Sequence, residues 1–223
     1  MWWGLGASLF VALLLLAFPF DRSVYLAVAV PQGGRAPVVE GLLSLFRQMG
    51  NGWFVAFLAG TILFLAPRRC GQALVLVLAV LLAFALGQLL LKPAIGKLRP
   101  NAELTPEDVE RLVERGGSMT VTGGQARNDG SALFRPAFSG PHRDLTLPSG
   151  HTGLAFACLA VLARAFPRGR WWFLFLACGV GASRVLVGEH FLSDVIAGAG
   201  VGYACARLVL ALPGTRRLMG GAG

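Results

Sequence analysis

Residues 71–91 read GQALVLVLAVLLAFALGQLLL, an unbroken run without an ionisable side chain, and Lys92 follows at once. A helix needs about 20 predominantly apolar residues to cross the hydrocarbon of a bilayer, so this stretch predicts a membrane-spanning helix that ends at Lys92. Comparable stretches lie at about 3–20, 53–66, 150–166, 171–187 and 195–212. That makes six spans, of which 53–66 is short enough to need its flanks. The whole composition agrees, with 55% hydrophobic residues, 30 glycines in 223 positions and only 14% charged residues, where soluble domains carry roughly 25%. A soluble fold of this size would have no place to hide so much apolar surface, and a disordered or collagen-like chain needs the opposite bias or a strict glycine period. The predicted fold class is therefore all-α: an integral membrane protein, one domain over residues 1–223, with six transmembrane helices and one long extracytoplasmic loop at 92–148.

The formal net charge is +9, and in a membrane protein part of such an excess sets topology. Arg68 and Arg69, Arg168 and Arg170, and Arg216 and Arg217 fall on alternate connections, hence on one side, which the positive-inside rule assigns to the cytoplasm together with the N-terminus. A cleavable signal peptide competes for the first apolar segment, because Ala27-Val28-Ala29 resembles a cleavage site, but no Lys or Arg precedes the run. Residues 36–49 place Val38, Val39, Leu42, Leu43 and Phe46 at helical spacing among Arg35, Glu40 and Arg47, which suits a helix lying in the outer interface. In the long loop, Thr105-Pro106-Glu107-Asp108 reads as a helix start and Gly116-Gly117 as its end, followed by a loop to Gly130. Its acidic residues (Glu103, Glu107, Asp108, Glu110, Glu114) read as a surface face, His142 and Arg143 as solvated loop, and Phe134 and Phe138 as anchors onto lipid or protein. Cys70, Cys158, Cys178 and Cys205 lack metal-ligand spacing and read as packing residues, while Gly198 and Gly202 read as a small-residue helix contact.

On the predicted outer side, basic residues are not needed for orientation, yet Lys92, Lys97, Arg99 and Arg184 gather there. Taken alone, Lys92 and Arg99 read equally well as side chains snorkelling to headgroups. Pro148-Ser149-Gly150-His151 stands where the loop re-enters the membrane. Ser149 is a natural N-cap, Gly150 allows close approach of the backbone, and the free N–H groups of a helix start favour an anion such as phosphate. Most Ser-Gly pairs only cap a helix, but a histidine in the same first turn sharpens the reading. If His190 and Asp194 share a helical stretch, their i, i+4 spacing puts them on one face, where Asp194 accepts the Nδ1 proton and leaves Nε2 as a nucleophile. An isolated pair of this kind is more often a plain structural hydrogen bond, so the weight rests on the combination.

Lys92 with Arg99-Pro100, then Pro148-Ser149-Gly150-His151, then Ser183-Arg184 with His190 and Asp194 together resemble the three-part signature of the type 2 phosphatidic acid phosphatase (PAP2) superfamily, in its order and spacing. The resemblance runs from the third span to the sixth and is to the six-helix membrane branch rather than to the soluble vanadium haloperoxidases. It implies that His190 attacks phosphorus to form a phosphohistidine, that Asp194 orients it, and that His151 protonates the leaving oxygen. It further implies that Lys92, Arg99, Ser149, Gly150 and Arg184 hold the phosphoryl oxygens. Three cations and helix N–H groups suffice to stabilise the charge of phosphoryl transfer, so neither a metal nor a cofactor is expected.

The expected activity is hydrolysis of a phosphate or pyrophosphate from a membrane lipid at the outer face of a bacterial-type inner membrane. The expected partners are the lipid phosphate and the bilayer, with no nucleic acid and no oligomeric state specified. Phosphatidylglycerol phosphate, phosphatidic acid, undecaprenyl pyrophosphate and lipid A phosphates all fit. A lipid phosphotransferase would use the same phosphohistidine; a lipid-phosphate binding or transport protein would need the cations but neither histidine.

Overall fold

The computed structural model describes residues 2–28, 35–97, 99–100 and 145–220. Within them the chain is helical: α1 (Trp2–Val28), α2 (Pro37–Met49), α3 (Gly52–Leu65), α4 (Cys70–Phe84), α5 (Lys92–Ile95), α6 (Gly150–Ala165), α7 (Arg170–Leu186), α8 (Leu192–Ala211) and α9 (Pro213–Gly220). A π-helical turn, Ala85–Leu91, joins α4 to α5, and no strand occurs among the described residues. The expected helix start at Thr105 and the readings of Glu103, Glu107, Asp108, Glu110, Glu114, Phe134, Phe138, His142 and Arg143 lie outside the described residues.

Three stretches are individually long and apolar enough to cross a membrane: Phe10–Val28, the continuous run Pro67–Ile95, and Leu192–Ala211. The last two match the third and sixth sequence-read spans, with the third extended at both ends. The first runs eight residues past the expected end at Phe20, through Asp21 and Arg22, because Asp21 is buried against the interior and satisfied there. Helix α6 is apolar but has only 16 residues, and α7 has 17. Helices α2 and α3 are bent by 66° at Gly50-Asn51, where the Asn51 side chain accepts from the Trp53 N–H at 3.4 Å and so starts α3. The bend turns α2 away from its successor, and α2 exposes Val38, Val39, Leu42 and Leu45 while burying Leu43. This amphipathic helix leans on α7, with Phe46 edge-on to Phe175.

The core is built from α4, α6 and α8. Val75, Leu76, Ala79, Ala157, Cys158, Val161, Cys205 and Ala206 pack there with almost no exposed surface. Small residues decide how close these helices come. A Cβ on Gly202 would stand 2.1 Å from the Gly153 carbonyl oxygen, and one on Gly198 would stand 2.5 Å from that of Ser149. The Gly198/Gly202 stripe is thus the contact of α8 with α6, and it carries the start of α6 directly onto the start of α8. Leu16, Phe57, Phe64, Leu65, Leu89 and Trp172 point outward from the bundle. Cys158 and Cys205 are buried as packing residues, but Cys70 and Cys178 lie on the exposed outer faces of their helices, so the packing reading holds for only two of the four.

The arginine-rich connections come together at one end. The Arg69 guanidinium sits 4.8 Å from the Phe166 ring centre, and Leu218 of α9 packs on Gly71 of α4. Lys92 lies at the far end of the continuous Pro67–Ile95 run, about 35 Å from Arg69 along the helix axis at 1.5 Å per residue.

Candidate active site

Gly96 closes α5 in the left-handed conformation (φ 67°), with its N–H donating to the Lys92 carbonyl at 2.9 Å. The chain therefore turns sharply after Ile95, and Lys97 is directed to Asp194 at the start of α8. Thr146 meets this segment from the other side of the long loop, its N–H donating to the Lys97 carbonyl at 2.8 Å. Three residues later the Ser149 N–H donates to the Asp194 carbonyl at 2.9 Å. Those two backbone bonds gather the sequence-separated motifs at one end of the bundle.

Two local expectations are corrected. His190 and Asp194 do not share a helix: His190 stands in the turn before α8, and Asp194 is in its first turn, where Oδ2 accepts the Phe191 N–H at 2.7 Å. The carboxylate is used to satisfy the helix start, which turns it partly away from the imidazole, and His190 Nδ1 lies 3.7 Å from Oδ2, beyond a hydrogen bond. Thr146 closes the gap. Its Oγ1 donates to Asp194 Oδ2 at 2.6 Å and lies 2.8 Å from His190 Nδ1. A hydroxyl that gives its proton to the carboxylate accepts from Nδ1–H, so Nε2 carries the lone pair. The second correction concerns Ser149, which occupies the N-cap position of α6 without its side chain capping. Its Oγ instead accepts from the Thr152 hydroxyl at 3.1 Å, which leaves the first-turn N–H groups of α6 to another acceptor.

Arg184 and Arg99 act on this histidine, and Lys92 stands near Arg99 and Asp194. Arg184, on α7, is 2% exposed, and Lys92 is 8% exposed. Among the described residues, the Nε and Nη1 groups of Arg184 and the Nε of Arg99 are buried without a hydrogen-bond partner. Native structures rarely leave such donors unpaired, and guanidinium groups are suited to multidentate oxyanions. Glu189 meets the remaining edges: its Oε2 accepts from Arg184 Nη2 and lies 3.9 Å from Arg99 Nη1. Lys92 Nζ donates to Gln88 Oε1 at 3.2 Å, from the π-helical turn, where the widened register places Gln88 beside Gly150. A Cβ on Gly150 would lie 2.9 Å from the Gln88 side chain, so this glycine accommodates Gln88.

His151 is on the first turn of α6, within electrostatic reach of Arg184, His190 and Glu189, with the Gly50 turn packed on its Cβ. Burial holds the His190 imidazole below its ordinary value; Asp194 opposes that, and Arg184 and Arg99 add to it. The shift favours the neutral imidazole. Beside His151 opens a groove of about 520 Å³, walled by apolar side chains of α3 and α4 such as Val55, Val77 and Phe84, with Asn51, Gln88, Gly150 and His151 also in its lining.

All eight sequence-chosen residues lie at one end of the bundle. Sequence reasoning missed Thr146 and Gln88, and gave Glu189 no role at the arginines. Thr146 carried one faint sign, a lone hydroxyl between Leu145 and Leu147 just before the Pro148 motif; Gln88 carried another, an amide in an otherwise apolar run.

A family model described as the PAP2 superfamily matches residues 72–218. Lipid A 1-phosphatases of Rhizobium johnstonii and Rhizobium etli are each 43% identical to this chain over 84 residues, covering 35% of it and 34% and 36% of theirs. The match thus spans about a third of the length of these curated relatives. The crystal structure of Aquifex aeolicus LpxE is similar with a TM-score of 0.56 at 19% identity, over 88% of this chain and 96% of that one. That of a transmembrane PAP2-type phosphatidylglycerolphosphate phosphatase from Bacillus subtilis gives 0.60 at 21%, over 91% and 92%. These two likenesses are of fold.

Proposed function

This chain belongs to the PAP2 superfamily, and we propose that it is a lipid phosphatase working through a phosphohistidine on His190. The observation that carries this reading is the juxtaposition of buried guanidinium N–H groups of Arg184 and Arg99, without a partner among the described residues, with a histidine whose Nδ1 is tied through Thr146 to Asp194. Such a site asks for an anion with several oxygens around an electrophilic centre.

In the proposed reaction the His190 Nε2 lone pair attacks phosphorus as the bond to the lipid oxygen breaks. The bonding pair leaves with that oxygen, which takes a proton from His151. Lys92, Arg99, Arg184 and the N–H groups at the start of α6, shaped by Ser149 and Gly150, hold the three equatorial oxygens. His151 then accepts a proton from water as the water oxygen attacks phosphorus, the P–N bond breaks, and its electron pair returns to Nε2. The positive charges are all supplied by the chain, so turnover is expected to survive chelation by EDTA.

We read α1, α3, the Pro67–Ile95 run, α6, α7 and α8 as six spans of a single domain, with α2 in the interface and 92–148 as an extracytoplasmic loop. Gathering of the arginine connections at the opposite end supports an active site on the outer side of a bacterial inner membrane. The substrate is proposed to arrive by lateral diffusion with a chain in the α3–α4 groove, since that groove is mostly apolar and His151 is among the residues that line it. Among lipid phosphates, a lipid A-type sugar phosphate is the first to test, because the curated relatives are lipid A 1-phosphatases.

Purified protein in mixed micelles should release inorganic phosphate from one member of a panel of long-chain lipid phosphates, at a rate that falls on dilution with inert detergent. Equal efficiency on a short, water-soluble phosphate ester would favour a substrate taken from the aqueous phase. Transfer to an added lipid in place of phosphate release would identify a phosphotransferase.

A further inference from the structure

The N-terminal helix holds no residue of the three-part signature, yet it reaches the reacting histidine through buried charge. Asp21 of α1 is 6% exposed, Lys97 is 3% exposed, and Ser193 and Asp194 are fully buried. Lys97 Nζ donates to Asp21 Oδ2 at 2.6 Å, to Ser193 Oγ at 2.9 Å and to Asp194 Oδ1 at 3.3 Å. It lies 4.4 Å from the Phe191 ring centre and 4.9 Å from that of Phe18, so its ammonium is enclosed by two carboxylates, a hydroxyl and two aromatic faces. Asp21 in turn accepts the Ser193 N–H at 2.8 Å through Oδ1 and the Ser193 hydroxyl through Oδ2. An unbroken chain of polar contacts therefore runs from Asp21 to Lys97, to Asp194, to Thr146, to His190.

The charges in this chain point to a purpose. Enclosing ions costs desolvation energy that their pairing often only balances, so a buried ion cluster is weak as a device for stability. Lys97 alone, beside Asp194, would neutralise the carboxylate on which His190 depends. Asp21 offsets Lys97, and the cluster of Asp21, Lys97 and Asp194 keeps one net negative charge beside a neutral imidazole. When Nε2 bonds to phosphorus, the imidazole becomes cationic and the sum becomes zero.

We propose that Asp21 and Lys97 are positioning residues of the reaction, with Asp21 preserving the negative charge of Asp194 against Lys97 so that it stabilises His190 in its phosphorylated, cationic form. This rests on His190 being the nucleophile. His190 is faced by Asp194 from α8, Arg184 from α7, Arg99 from the turn after α5 and His151 from α6, and Asp21 reaches it through Lys97 and Asp194. Removing the Asp21 charge therefore disfavours the cationic imidazole by Coulomb interaction alone.

The test compares wild type, Asp21→Asn, Asp21→Asn/Lys97→Met and His190→Ala in detergent, with a long-chain lipid phosphate. Asp21→Asn should lower kcat by about 10- to 100-fold with KM within about twofold. It should slow trapping of phosphoenzyme and move the acid limb of the kcat/KM profile to lower pH. The double variant removes one charge of each sign and should return the acid limb to the wild-type position, a restoration that loss of packing would not produce. Asp21→Glu should retain more kcat than Asp21→Asn. Wild-type kcat and an unmoved limb in Asp21→Asn would overturn the proposal, as would a double variant whose limb stays displaced. If Asp21→Asn does not accumulate in membranes, Lys97→Met decides: it leaves Asp21 and Asp194 without the ammonium between them and should move the acid limb to higher pH, and an unmoved limb would overturn the proposal. Turnover by His190→Ala would instead overturn the phosphohistidine reading, whatever Asp21 does.

Discussion

The two halves of this bundle divide the work unequally. From the Pro67–Ile95 run onward, α6, α7 and α8 provide the histidines, the aspartate and the cations, and they are held by contacts so close that glycine is required at Gly198 and Gly202. The part made of α1, α2 and α3 provides no signature residue and much of the outward-facing surface, including Phe57, Phe64 and Leu65. Yet it places Asp21 under Lys97, the Gly50 turn against His151, and one wall of the apolar groove. We read the difference as a division of labour in which the signature half holds the proposed reacting groups, while the other half offsets their charge and walls the groove proposed for the lipid chain. Chemistry demands fixed residue types at fixed places; offsetting a charge or walling a groove demands only a property at a position, which many sequences supply.

If that division is right, substitutions in the signature half should act first on kcat. His190→Ala should lower phosphate release by about 10⁴-fold or more, measured as inorganic phosphate from lipid micelles, and retention of a tenth of the activity would remove His190 as nucleophile. His151→Gln should cost about 10²- to 10⁴-fold on a lipid alkoxide leaving group and much less on an aryl phosphate, whose leaving oxygen needs little protonation. Equal losses on both would mean that His151 holds the phosphate instead.

Thr146 sharpens the comparison because it belongs to no motif but sits inside the signature half. Thr146→Val keeps the shape and removes the relay between His190 and Asp194. Its kcat should fall about 10- to 100-fold with KM little changed, and Thr146→Ser should recover most of it. Unaltered kcat in Thr146→Val would mean that Asp194 acts on His190 without the hydroxyl.

The smallest effects belong to the other half and to pH. Ala56→Trp, at the α3 wall of the groove, should lower kcat/KM several-fold for a long-chain lipid phosphate and leave a short-chain analogue unaffected; parallel losses would sever the groove from the substrate chain. Because burial lowers the His190 pKa from its ordinary 6.5, the neutral, attacking form persists below that value. Activity should accordingly be kept as pH drops through 6.5 and be lost only at lower pH, as His190 takes up a proton. An acid limb above 6.5 in the kcat/KM profile would contradict the enclosed environment drawn for His190.

Much of this was legible before any fold was known, for identifiable reasons. The long apolar runs announce membrane helices because hydrocarbon admits few alternatives, and the charges among the apolar residues of 36–49 set that helix apart from the span after it. Helix α1 was read too short because the charges Asp21 and Arg22 look like an end; nothing local announces that Asp21 has a buried lysine 76 positions away. For the same reason Lys97 read as one more outer cation, though it is buried among carboxylates.

By itself, then, the sequence determined the class of fold, the end of the bundle at which charge collects, and the eight residues placed there, because hydrophobic run length and motif chemistry are local properties written in consecutive letters. Tertiary structure decided what those residues bond to. Asp194 spends one oxygen on the start of α8 and on Thr146, Ser149 turns its hydroxyl to Thr152, Glu189 meets Arg184, and Asp21 joins from a helix with no motif at all. Each of these is a choice among several nearby donors and acceptors, and it is settled by how closely glycines let α6 and α8 approach and by where α1 lies against them. Distances of that kind exist only once the helices are packed.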